Sequence, residues 1–381
     1  MAIREGAPSA AGIGDLLASV DWDFVDARPA PLDGIHPYPA KFISSIPRTL
    51  IEMFRPEHGL AVFDPFCGSG TTLSAAVDAG LPCIGVDLNP IAVLISRLRT
   101  APLDEPLSER AIAIADAARD ESARVPDLPR LDHWFKKDVQ AALASLMLQI
   151  DAVASASTRD ALRLCLSRII VRVSNQDSDT RYAAVEKNTS GASVFTRFVD
   201  AARSVEAALE TRDPATLASA SARVVQADIL AVRADEVGAE VGLTITSPPY
   251  PNAYEYWLYH KYRMYWLGFD PVAVREAEIG ARPHYFKKDH QTEADFEVQM
   301  ERCFHLLAQV MVPGGVACFV VGRSMIHGRL IDNAALLRRA AATAGFVFGG
   351  SATRAIRKTR KAFNLSHGKI NDETILAFQL A

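Results

Sequence analysis

The chain has 381 residues, a net charge of −4, 49% hydrophobic and 23% charged residues, the balance of a soluble globular protein large enough for one large α/β domain or two ordinary ones. No apolar run approaches the ~20 residues of a membrane span, and the first twenty residues lack the apolar core of a secretory signal. Cys67, Cys83, Cys165, Cys303 and Cys318 are scattered without a CxxC or a Cys/His cluster, which argues against structural zinc and disulfides and leads us to expect a reducing cytoplasm and no metal.

Residues 1–33 are rich in Ala, Gly and Pro and read as a flexible N-terminal segment. HPYPAKF (36–42) is punctuated by proline, and 43–55 is amphipathic. LAVFD (60–64) reads as a buried strand, DPFCGSGTT (64–72) opens with a Gly-rich turn, TTLSAAVDAG (71–80) as a helix closed by Gly80, and CIGVD (83–87) as a second strand. That is one βαβ unit. Residues 91–220 then carry helical periodicity, about four to six helices, interrupted by the polar stretch SNQDSDTRY (174–182). Strand signals return at RVVQAD (223–228) and GLTIT (242–246). An aromatic helix is expected over 254–267, a loop over 278–292 and a helix over 293–311. Pro313-Gly314-Gly315 then leads into the strand VACFVVG (316–322), a helix spans 331–344, and the strands FVFGG (346–350) and TILAFQ (374–379) close the chain. With 100–220 set aside as a helical insertion, 34–99 and 221–381 describe a doubly wound, mostly parallel sheet of about seven strands with an antiparallel edge hairpin. In such sheets ligands bind beyond the carboxyl ends of the strands.

The Gly turn lacks the Lys of a Walker A loop, and Leu73 stands where a dinucleotide fingerprint needs its third small residue, so both phosphate readings fail. Asp64 at the strand end would repel a pyrophosphate and attract a cation. Asp87 is placed to accept from two ribose hydroxyls, and Asp228 from an adenine amino group. Alone, each acid reads as a helix N-cap. In a row with Gly68-Ser69-Gly70 they describe a nucleoside with a positively charged amino-acid tail, S-adenosylmethionine.

Thr246-Ser247-Pro248-Pro249-Tyr250 ends a strand with two fixed φ angles and two missing N–H donors. What remains is a rigid set of carbonyl acceptors beside the Ser247 hydroxyl, able to receive both hydrogens of a planar amino group and localise its lone pair. Tyr250 can stack on a base, a contact worth about 1–3 kcal/mol. Such a base has to be flipped out of its duplex. A lone Pro-Pro-Tyr is as readily a turn with a core tyrosine.

DPFCGSGTT together with TSPPY resembles the paired signature of the amino-methyltransferases of DNA, which methylate N4 of cytosine or N6 of adenine. The resemblance covers about 34–90 and 222–381. It implies that Asp64, Phe66, Gly68, Ser69, Gly70 and Thr71 form the cofactor loop, that Asp87 and Asp228 take the ribose and adenine sides, and that Ser247, Pro248, Pro249 and Tyr250 form the catalytic loop. It also implies that HPYPAKF, with Lys41 and Phe42, closes over the methionine end of the cofactor. Ser at position 247, where the family's adenine enzymes carry Asp or Asn, favours cytosine N4. Two departures stand out: the cofactor loop precedes the catalytic loop, and the large insertion follows the second strand. The resemblance implies double-stranded DNA as substrate and a restriction–modification or phage-defence setting, and leaves a cognate restriction endonuclease open. An RNA amino-methyltransferase, a non-catalytic binding subunit and a protein glutamine methyltransferase are the competing readings, the last weakened by the missing Asn at 247.

Seven of the thirteen Tyr and Trp residues lie in 254–266, and Trp257, Tyr265 and Trp266 are expected in the core. Tyr254 is the second aromatic for a flipped base. Asn175, Gln176 and Arg181 can read base edges, which makes 100–220 a candidate target-recognition region as well as a candidate lid or dimer surface. The basic run Arg354, Arg357, Lys358, Arg360 and Lys361 is a candidate contact to the DNA backbone.

Overall fold

The computed structural model describes residues 10–39, 43–179, 181–252, 254–355 and 372–381. Nine strands are present among them: β1 Ala61–Asp64, β2 Cys83–Asp87, β3 Ala222–Gln226, β4 Val241–Thr246, β5 Met311–Gly322, β6 Ser324–Ile326, β7 Arg329–Ile331, β8 Phe346–Ala355 and β9 Asp372–Leu380. Seven form one sheet in the order β3-β2-β1-β4-β5-β9-β8, while β6 and β7 make a separate ribbon. Neighbours from β3 to β5 are parallel, and β9 runs antiparallel to both β5 and β8. This is the doubly wound α/β sheet that the sequence predicts, with β8 at the edge. The strand order reverses between β1 and β4, so their carboxyl ends flank the switch-point crevice.

Every residue of β1 and β4 is buried, as expected of parallel strands covered on both faces. One face packs against helices Glu293–Val310 and Asn333–Thr343 through Phe304, Leu307 and Leu337. The other packs against helices Ser45–Met53 and Thr71–Asp78 through Ile46, Leu50, Leu73 and Val77. A third apolar cluster joins the helices between β2 and β3 to the aromatic segment after β4. No helix among the described residues is long and apolar enough to cross a membrane.

Four expectations change. A flexible segment over 1–33 does not describe residues 10–33: Ala10–Ala18 is a helix whose Ile13 and Leu17 are fully buried, and Trp22 donates from Nε1 to the Leu17 carbonyl at 2.7 Å. Amphipathic spacing hidden in an Ala/Gly-rich stretch finds a sheet face to cover. Strand β5 begins at Met311, not 316, because Met311 already pairs with Val241 and Pro313-Gly314-Gly315 is accommodated where the register shifts. The aromatic helix is two short helices, Tyr256–Tyr259 and Lys261–Trp266, and the loop after 278 contains a helix, Arg282–Phe286.

Candidate active site

The turn after β1 is held from three sides. Cys67 donates its amide to the Val86 carbonyl of β2 at 2.9 Å, Gly70 its amide to the Cys67 carbonyl at 2.7 Å, and Ser96 its hydroxyl to the Gly68 carbonyl at 2.9 Å. Gly70 has φ +74°, and a Cβ there would stand 2.7 Å from the Ser96 hydroxyl. Only glycine fits that conformation and that approach. Gly68 has φ +50° and faces the ring of Tyr38, 3.5 Å from a would-be Cβ. Tyr38 stacks on Tyr256, ring centroids 5.7 Å apart, so HPYP and the aromatic segment together roof the glycine turn.

The crevice beneath is lined by Asp64, Phe66, Cys67, Gly68, Ser69, Thr71, Asp87, Asp228, Ser247, Pro249, Tyr38, Tyr256 and Glu278, and its empty volume, mouth included, is about 870 Å³. Four carboxyl groups line it, and no Lys or Arg among the described residues does. Asp64 accepts from the Thr246 hydroxyl at 2.6 Å and the Phe66 amide at 3.1 Å, yet burial lifts its pKa to about 7. Asp87 takes the amides of Gly68 and Asn89, both at 2.8 Å, one on each oxygen, and burial raises its pKa to about 6. Glu278 accepts the amides of Tyr256 at 2.9 Å and Trp257 at 2.7 Å, and burial raises it to about 8. Asp228, two residues past β3, accepts the Leu230 amide at 2.9 Å. Buried acids raised in this way are poised for a cation, whose arrival favours their ionised forms. Each carboxylate oxygen keeps lone pairs for further donors. The lining therefore fits an ammonium, a sulfonium and a pair of ribose hydroxyls, the features of S-adenosylmethionine.

The turn after β4 lies beside it. The Ser247 hydroxyl donates to the Val320 carbonyl of β5 at 2.9 Å, so its one proton is committed; with the Tyr250 phenol on one lone pair, the other remains for an incoming N–H. Tyr250 is half-buried against the sheet-side core, and both Ser247 and the Gly322 backbone hydrogen-bond its hydroxyl. Burial raises its pKa, so the phenol stays protonated. Tyr254 lies 6.0 Å from Tyr256 between ring centroids.

The crevice thus gathers Asp64, Phe66, Gly68, Ser69, Thr71, Asp87, Asp228, Ser247 and Pro249 from the predicted set, with Gly70 closing the turn and Pro248 and Tyr250 beside it. Lys41, Phe42, Arg357, Lys358, Arg360 and Lys361 lie outside the described residues. Arg354 does not face solvent: it is buried, donates to the Trp22 carbonyl at 3.1 Å and pairs with Glu373. Gln176 is likewise buried and spends its amide on the Ser178 carbonyl. Asn175 donates from Nδ2 to the His133 carbonyl at 3.2 Å, and Arg181 is exposed, 3.6 Å from Asp177. Trp257 and Trp266 are core residues, joined by Tyr262, while Tyr265 is only packed against that core. Sequence reading missed Tyr38, Tyr256 and Glu278. The first lay inside a flagged motif, whereas nothing local marks a glutamate 31 residues past Ser247 as its neighbour.

A family model described as DNA methylase, of the N6/N4 type, matches residues 19–97. Type II methyltransferase M.MvaI of Kocuria varians is 29% identical over 154 residues, which are 37% of this chain and 34% of that protein. Type II methyltransferase M.MjaII of Methanocaldococcus jannaschii is 36% identical over 94 residues, 22% of this chain and 17% of that protein. The matched stretches thus span about a third or less of those relatives' own length. Among solved structures, TrmN from Thermus thermophilus is similar at 11% identity and TM-score 0.35, covering 89% of this chain and 49% of that one. The rRNA methyltransferase aviRa from Streptomyces viridochromogenes is similar at 12% identity and TM-score 0.32, covering 92% and 90%. The likeness to DNA methylases of the N6/N4 type thus rests on residues 19–97 and on partial matches to two Type II methyltransferases.

Proposed function

We propose that the chain transfers a methyl group from S-adenosylmethionine to the exocyclic amino group of a base flipped out of duplex DNA, N4 of cytosine ahead of N6 of adenine. The observation that carries the reading is the Ser247 hydroxyl: its proton is held by the Val320 carbonyl while its oxygen borders a crevice lined by acids. Asp64 would hold the cationic methionine end, Asp87 the ribose and Asp228 the adenine. When bound, the cofactor supplies an electrophilic methyl carbon on sulfur. Ser247 and the carbonyl of Pro248 accept the two amine hydrogens, which turns the nitrogen lone pair out of conjugation. With that cofactor bound, methyl transfer to the nitrogen would release the demethylated thioether, and the surplus amine proton would leave to solvent, so no strong base is required. Tyr250 and Tyr254 offer ring faces to the base. The choice of cytosine rests on Ser247 and the family pattern, and the setting on the Type II relatives, for which a cognate endonuclease would be the partner.

Methylation-aware sequencing of a plasmid from a methylation-deficient host expressing the chain tests this directly. N4-methylcytosine in one short context, lost in the Ser247→Ala, Tyr250→Ala variant, is the expected outcome. N6-methyladenine would keep the mechanism and overturn the base assignment. An unmarked plasmid, with soluble protein that binds the cofactor, would transfer the reading to RNA or to a missing partner.

A further inference from the structure

The seam between the helical insertion and the aromatic segment carries a feature that methyl transfer itself does not use. Tyr182 stacks on Tyr262, ring centroids 6.4 Å apart and planes 9° from parallel, and Trp134 meets Tyr182 at 4.8 Å with its ring tilted by 51°. The Lys261 ammonium lies over three rings, 5.7 Å from Tyr182, 5.8 Å from Tyr262 and 6.0 Å from Trp257. The Arg275 guanidinium covers Trp257 at 5.5 Å. Arg130 is fixed next door, because Tyr262 donates its hydroxyl to the Pro129 carbonyl at 2.8 Å.

Three cations therefore crowd one aromatic surface. The charged groups that bear on Lys261 are Arg130 and Arg275, both positive. Arg275 shares Glu276 with Lys287, at 2.5 and 3.8 Å. Among the described residues no ion pair is recorded for Lys261 or Arg130. Mutual repulsion of this kind is tolerated where an anion completes the site. Cation–π contact holds the ammonium in place without neutralising it. Location supplies the rest. Arg275 lies between Val274 and Ala277, and Trp257 follows Tyr256; Val274, Ala277 and Tyr256 all line the crevice.

We infer that Lys261, Arg130 and Arg275 seat backbone phosphates of the duplex flanking the base that enters the crevice, with Tyr182 as the exposed aromatic wall of that seat. The inference rests on the proposed DNA activity and adds a surface to it. It is independent of the basic run at 357–361.

The test is duplex binding as a function of salt, with a short labelled DNA duplex and the full chain. Each phosphate contact contributes about −0.9 to the slope of log K against log salt. A Lys261→Gln, Arg130→Gln variant should shallow that slope by about two and weaken binding at low salt on every sequence alike. Cofactor affinity and thermal midpoint should stay as in the wild type, and Lys261→Arg with Arg130→Lys should restore the slope. Arg130→Gln alone, at an exposed position, should shallow it by about one, and covers the case in which the double variant fails to fold. An unchanged slope in both variants overturns the seat while leaving the DNA reading intact. A wild-type chain that binds cofactor and no duplex overturns both.

Discussion

Asp64, Asp87 and Glu278 are all lifted above the ordinary carboxylate range by burial, to about 7, 6 and 8. The direction sets how the protein responds to pH. Each group keeps its proton in the fold at pH values where the unfolded chain has already lost it. Their contribution to stability is therefore greatest below about pH 4 and declines as pH rises towards 8. Glu278→Gln should flatten the upper part of that decline in thermal melts of the cofactor-free chain. It should also cost about 1–3 kcal/mol, since the Tyr256 and Trp257 amides sit on different carboxyl oxygens and the glutamine NH2 would face one of them donor to donor. Cofactor affinity should run the other way. A cation draws Asp64 into its ionised form, so binding should tighten between about pH 6 and pH 8 with proton release. Calorimetry in two buffers of different ionisation enthalpy checks this, and a pH-independent affinity would contradict it. The strand-end acids were legible in the sequence because a carboxylate closing an apolar run has no solvent-side reason to be there. Glu278 was not, because only the folded path of the chain returns it to the crevice.

At the level of elements, the glycine turn is a clamp between β1, β2 and helix Pro90–Thr100. Gly70→Ala combines a left-handed φ with a contact of 2.7 Å to Ser96. It should destabilise the fold by about 1–3 kcal/mol and weaken the cofactor more than that loss alone accounts for. Comparing the denaturant midpoint with the dissociation constant separates the two effects. Apolar runs located all seven strands of the large sheet, since parallel buried strands read as continuous apolar runs. Periodicity failed where backbone geometry departs from the period: at the register shift before Val316, and at His260, where the aromatic segment breaks into two helices. Over 91–220 the helical character was legible, but among the described residues seven helices rather than four to six stand between Pro90 and Ser219, two of them of 4 and 6 residues and too short to show a period.

Across the molecule, the insertion is not an appendage. Its Phe135, Val139, Leu162 and Phe198 share one apolar cluster with Tyr262, Met264 and Trp266. Arg263 fastens the seam: it is 1% exposed, donates to the Ser167 carbonyl at 3.1 Å and the Tyr259 carbonyl at 2.9 Å, and pairs with Asp179 of the polar stretch. Arg263→Ala should cost about 1–3 kcal/mol in denaturant unfolding, because it leaves the buried Ser167 carbonyl without its donor. A loss below about 1 kcal/mol would show the seam to be held by its apolar contacts alone. Sequence composition divided the chain at 100 and 220 because it registers where helices begin. It does not register that the aromatic residues after β4 complete the insertion's core. The hydrogen bond from Thr246 to Asp64 joins residues 182 apart in the chain but on adjacent strands. The two halves of the site therefore meet across one strand-to-strand step, whatever path the polypeptide takes between them. Which half a gene encodes first is invisible to the chemistry, and a rearranged gene that permuted the order of the motifs would leave the pocket's geometry where it is.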